Sequence, residues 1–105
     1  MGQKQNFEMF RGEDKILEVT VTGENITPWT LVFTLRQTAR SDVALIERPG
    51  IITSGVGGVF QVTLTDEDTV GLVPGKYAFD CKRTNAGAEG IIVYGTLNLL
   101  AEVTR

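Results

Sequence analysis

The 105-residue sequence predicts an all-β fold, an antiparallel β-sandwich of about seven or eight strands, and three observations carry that prediction. Apolar and polar residues alternate with period two through most of the chain, and helical periodicity is nearly absent. Turn-forming clusters recur roughly every 8 to 12 residues, the spacing of short strands in a sandwich. The segment Leu64 to Asp80 reads as a strand end, one short helical turn near residues 66–71, a Pro-Gly reversal and a new strand. Such a corner is how antiparallel sandwiches carry the chain between sheets. With no helix long enough for a parallel crossover, sequential strands are expected to pair antiparallel.

Each element follows from local chemistry. Residues 1–5 are expected as a flexible N-terminal tail of a single domain spanning 1–105. A first strand covers Phe7 to Phe10, with Phe7 and Met9 on one side, and Arg11-Gly12-Glu13-Asp14 is a polar, solvated turn. Lys15 to Thr22 sets Leu17, Val19 and Val21 on one face before Gly23-Glu24-Asn25 breaks the run. Thr30 to Gln37 is the clearest strand, with Leu31, Phe33 and Leu35 inward, Val32 outward and Trp29 leading in. Pro28 before it fits a strand start, where a missing N–H is tolerated.

A weaker strand is expected near Val43 to Glu47. Pro49-Gly50 and Gly55-Val56-Gly57-Gly58 then bracket Ile51 and Ile52 as a loop or irregular edge. Val59 to Leu64 follows with Phe60, Val62 and Leu64 inward. In the corner, Thr65 is an N-cap and Asp68 completes a capping-box pair. Pro74 and Gly75 suit the two central positions of a type II turn. Lys76 to Arg83 turns Tyr77, Phe79 and Cys81 inward, and Thr84-Asn85-Ala86-Gly87 has hairpin-loop residues. Ile91 to Leu100 closes the fold, with Gly95 marking a bulge or a close backbone contact.

Composition excludes several function classes. A net charge of −3 and a pI near 4.9 argue against nucleic acid, whose phosphates require a basic stripe. The chain has no histidine, which removes the commonest general base and most zinc sites. Cys81 is the only cysteine, so no intramolecular disulfide forms, and its strand position suits a small buried hydrophobe. No apolar run approaches the roughly 20 residues of a membrane span, and no signal-peptide core follows Met1. Neither a membrane, a cofactor, a metal nor a small-molecule substrate is expected, and synthesis is placed in a host cytoplasm.

Four side-chain groups carry candidate chemistry. Asp66, Glu67, Asp68 and Asp80 could offer oxygen ligands to calcium, but the spacing lacks the central Gly and terminal Glu of a calcium loop. Capping of the helical turn explains the same acids. Paired carboxylates could serve glycoside hydrolysis, yet a sandwich this small has little room for a cleft. Lys82-Arg83 reads as a solvated pair of cations. Trp29, Tyr77 and Tyr94 could build a sugar platform, making a small carbohydrate-binding module the alternative function. Against it, Trp29 suits the core and Tyr77 suits a corner whose hydroxyl returns to backbone. Val32, Ile92 and Tyr94, read as outward-facing, form an apolar patch of the kind that marks protein interfaces.

The Arg11 to Asp14 turn, the Trp29 to Arg36 strand, the Leu64 to Asp80 corner and the closing Tyr94-Gly95-Thr96-Leu97 strand resemble small immunoglobulin-like domains of tailed-phage structural proteins. The family suggested is the N-terminal domain of phage baseplate upper proteins, with a likeness running from about Phe7 to Leu100. The resemblance implies an immunoglobulin-like sandwich in a baseplate, tail or capsid surface. It implies a non-enzymatic assembly role within the virion, with other virion proteins or further copies of itself as partners. It carries no catalytic residue.

Overall fold

The computed structural model describes residues 3–101, apart from positions 22, 39, 42 and 86. Among these residues eight strands form: β1 (Gln3–Lys4), β2 (Phe7–Phe10), β3 (Lys15–Thr20), β4 (Leu31–Arg36), β5 (Ile46–Ser54), β6 (Val59–Leu64), β7 (Gly75–Arg83) and β8 (Gly90–Leu100). One helical turn, α1 (Asp66–Thr69), sits between β6 and β7. The hydrogen-bonded order is β1-β8-β7-β4-β5-β6-β3, with β2 also pairing β8. Strands β1 and β2 run parallel to β8, and the remaining pairs are antiparallel.

This ladder curls into two layers. The larger holds β1, β2, β8, β7, β4 and the first half of β5; the smaller holds the second half of β5, β6 and β3. With β3 taken as the B strand, the layers read C-F-G and B-E-D, the immunoglobulin arrangement. The fold is all-β, as the pattern predicts, and immunoglobulin-like, as the resemblance implies. Parity fills the interior: Leu17 and Val19 of β3 and Phe60, Val62 and Leu64 of β6 join one apolar cluster with Phe33, Leu35, Phe79, Cys81, Val93, Leu97 and Leu99. Within this cluster, Phe79 has ring centroids 5.4 Å from both Phe7 and Phe33.

β5 departs from expectation. The two weak pieces flanking Pro49-Gly50 are one continuous nine-residue strand that changes partners. Ile46 to Gly50 pairs with β4, and Ile51 to Ser54 pairs with β6. Pro49, with no N–H to donate, stands next to the change. A Cβ on Gly50 would lie 2.9 Å from Leu31 Cβ and 3.1 Å from the Phe60 ring. Backbone in that space lets the two layers converge where a side chain would hold them apart.

The N-terminus also differs. Residues 1 and 2 lie outside the described residues, but Gln3 and Lys4 are not a tail: they pair with Val93 and Tyr94. Gln5 N–H donates to the Tyr94 carbonyl at 2.9 Å, and Asn6 Oδ1 accepts from Thr96 N–H at 3.2 Å. Gly95 supplies the close contact expected of it, since a Cβ there would fall 1.8 Å from the Gln5 carbonyl oxygen. The bulge lies elsewhere, where the β7–β8 register shifts between Cys81 and Lys82.

At the corner, Asp68 Oδ2 accepts from Thr65 N–H at 2.9 Å, as the capping pattern predicts. The Pro-Gly reversal is not a type II turn. Gly75 has φ +152° and already opens β7, whereas the turn needs a φ of about +80° there. Tyr77 is 4% exposed, and its hydroxyl donates to the Val73 carbonyl, making it the corner tyrosine.

Two substitutions test these constraints. Tyr77→Phe should lower unfolding free energy by about 1 kcal/mol through the lost hydrogen bond, read as a shifted urea midpoint at constant slope. Gly95→Ala should cost about 1–3 kcal/mol by forcing the first strand off β8. Hydrogen exchange at Gln5 N–H should accelerate in that variant.

Candidate functional site

Of the candidate acids, Asp68 and Asp80 are taken up by ion pairs within the fold. Asp68 is bound by Arg48, which reaches from β5 to α1, and its side chain is only 6% exposed. Asp66 N–H donates to Asp14 Oδ1 at 2.7 Å, and Gly12 N–H donates to the buried Thr69 hydroxyl at 2.9 Å. The Arg11–Asp14 turn, read from sequence as solvated, therefore clamps both ends of the helical turn. Glu13 closes its own turn by accepting from Phe10 N–H at 2.7 Å. No cluster of three or more metal-ligating side chains occurs among the described residues.

The aromatic platform is dispersed as well. Trp29 is partly buried against the core, and the Arg83 guanidinium lies 4.6 Å from its ring centroid. Arg83 Nε also donates to Asn85 Oδ1 at 3.0 Å, so this cation is occupied rather than merely solvated. Tyr77 is committed to the corner, and Tyr94 alone of the three stands well exposed, at 44%.

A further candidate is the outer face of β8, β7, β4 and β5, whose strand register fixes its side chains in rows. One row reads Tyr94, Asp80, Thr34 and Glu47 across the four strands. The next reads Ile91, Lys82, Val32 and Pro49. A third carries Thr96, Ala78 and Arg36. Arg36 Nη1 donates to Asp80 Oδ2 at 3.1 Å, with side chains 30% and 25% exposed, and the pair binds the first and third rows. Thr34 is buried beneath it. Beside the pair opens a shallow hollow of ≈ 360 Å³ walled by Ala78, Phe79, Ile91, Tyr94 and Gly95. A second hollow adjoins it along Val32, Glu47 and Lys82.

Of the three patch residues expected from sequence, Val32 and Tyr94 share this face. Ile92 does not: it packs against the core, and Ile91 takes the exposed place. The cause is the bulge opposite Cys81 and Lys82, which inserts one residue and reverses parity between Val93 and Ile91. Plain alternation in β8 hides this shift. Only the Ile-Ile pair after Gly90 offers a sequence signal that one of two apolar neighbours must turn outward.

Cys81 lies directly beneath the face. Burial, and secondarily the Asp80 charge, push its thiol from 9.0 up to about 12. A protonated, 1%-exposed thiol is a packing group, not a nucleophile.

No protein-family model and no curated protein matches the sequence. Among solved structures, the chain is similar to the extracellular domain of the voltage-gated sodium channel beta4 subunit, described as a parallel homodimer with a role in cell–cell adhesion. The identity is 13% and the TM-score 0.47, over 98% of this chain and 96% of that one. Likeness at that level is no warrant for function.

The thiol supplies a pH test. Above pH 9 the unfolded cysteine ionises while the native one holds its proton, so the unfolded state binds fewer protons and stability falls. The loss should run up to about 1.4 kcal/mol per pH unit between roughly pH 9 and 12. Cys81→Ala should flatten that part of the slope in urea titrations at stepped pH. An identical slope in the variant would refute the assignment.

Proposed function

We propose that the chain is a non-enzymatic structural and assembly module that works by protein–protein association. Its contact surface is the outer face of β8, β7, β4 and β5, and its setting is a phage or prophage particle. One observation carries the surface assignment: exposed Tyr94 and Ile91 flank an apolar hollow beside a hydrogen-bonded Arg36–Asp80 pair. An aromatic anchor and an arginine beside a pocket are the groups that dominate measured interface energies. The phage setting rests on the sequence resemblance, which also gives the partner class: other virion proteins or further copies of the chain.

The carbohydrate-binding alternative draws less support. Stacking on a sugar needs a bare aromatic face, and Arg83 already covers the ring of Trp29.

Val32→Asp and Tyr94→Asp place a carboxylate on this face without touching the core cluster. Each should weaken binding to the product of a neighbouring virion gene by about tenfold or more, measured by titration calorimetry. Ile16→Asp, on the outer face of the smaller layer, should bind as the parent does. Unchanged affinity in both face variants, or a glycan bound by the parent and lost in Trp29→Ala, defeats the proposal.

A further inference from the structure

Resting on the association reading above, we propose that this face also pairs with a second copy of the chain across a two-fold axis running transverse to the strands. A two-fold joining like faces lies in their plane, and the charge pattern selects its direction. Set along the strands between β7 and β4, it would oppose Lys82 to the second copy's Val32 and Tyr94 to its Glu47. Those contacts bury charges against neutral groups and cost desolvation with nothing in return.

Set across the strands, between the Tyr94–Asp80–Thr34 row and the Ile91–Lys82–Val32 row, the same operation exchanges the rows. Asp80 then meets the second copy's Lys82, and Lys82 meets its Asp80. Tyr94 covers the second copy's Ile91, and at the edge of the patch Glu47 meets its Pro49. Like charges are not opposed within these two rows. Arg36 keeps its own Asp80, so each Asp80 carboxylate sits between two cations. The strands of the two copies run antiparallel, the aligned arrangement in which sheets pack face to face.

The size of the face sets the strength. Four strands about 4.8 Å apart, over about six residues of about 3.3 Å rise, give a patch of roughly 400 Å² per copy. Specific interfaces of standard size cover about 800 Å² per partner. The dimer is therefore weak and concentration-dependent, with a dissociation constant in the micromolar range or above.

Sedimentation velocity from micromolar to millimolar chain tests it. The parent's mass should climb from one chain toward two and fall back as salt is raised, because the exchanged ion pairs are screened. Lys82→Glu, at an exposed side chain, should weaken pairing by about tenfold or more, and Asp80→Lys likewise. An equimolar mixture of the two variants should recover association, since each supplies the charge that the other lacks. Circular dichroism confirms that both remain folded; if Asp80→Lys unfolds without its Arg36 pair, Lys82→Glu decides alone.

A parent that stays one chain at millimolar concentration overturns the proposal, as does a dimer indifferent to Lys82→Glu. A monomeric parent whose virion-protein binding still falls in Val32→Asp and Tyr94→Asp leaves the association reading standing and removes only the second-copy partner.

Discussion

The two layers of this sandwich share one backbone, and most of the architecture depends on that sharing. Strand β5 is hydrogen-bonded to β4 through Gly50 and to β6 from Ile51 onward. A side chain at position 50 would meet Leu31 and Phe60, one from each layer. Close approach there brings the Phe33 and Phe60 sides of the core into a single cluster. The same continuity holds parity through the corner: Ile46 and Ile52 both turn toward the core, and Glu47 and Ile51 both turn away. A slip of one residue would exchange the two sets. The outer face of the larger layer therefore owes its composition to a switch made at its edge.

That face gains order from one ion pair more than stability. Arg36 and Asp80 are each about a quarter to a third exposed, so solvent screens their attraction, and such pairs contribute at most about 1 kcal/mol. Their effect is positional. The pair bridges adjacent strands one row apart, buries Thr34 and leaves the apolar hollow open on the Tyr94 side. The Asp80 charge also reaches through the sheet to Cys81, reinforcing the larger effect of burial on that thiol. An ordered outer face and an unreactive interior are thus two sides of one strand.

Much of this was legible in the sequence, and the misses have common causes. Strands β4, β6, β7 and β8 were readable because one face of each is buried, which forces strict alternation at Phe33, Phe60, Phe79 and Leu97. The tyrosine corner was readable because Pro74, Gly75 and Tyr77 are local to it. β5 was obscured by Pro49-Gly50, residues that end a strand in most contexts but bend one here through contact with Leu31 and Phe60. β1 was invisible because its pairing partners, Val93 and Tyr94, lie about ninety residues away, and a two-residue strand has no period to detect. Ile92 was misplaced for a related reason: a bulge belongs to a pair of strands, and one strand read alone carries no trace of its partner's register.

The acidic corner shows how the same carboxylates can suggest a site and build a joint. A four-residue helical turn is too short to hold by its own hydrogen bonds, since nucleation is costly and propagation barely begins. It persists because distant residues close its open ends: Asp14 takes the Asp66 N–H, Gly12 reaches Thr69, and Arg48 binds Asp68. These three come from the β2–β3 turn and from β5, the strand shared by both layers. Asp14 and Asp68 are spent on backbone donors and a guanidinium, while Asp66 and Glu67 stand exposed on the turn itself. Carboxylates in a row thus report a turn that needs fastening from outside. The residues free to meet a partner lie instead where the sheet has already satisfied its backbone and only side chains face out.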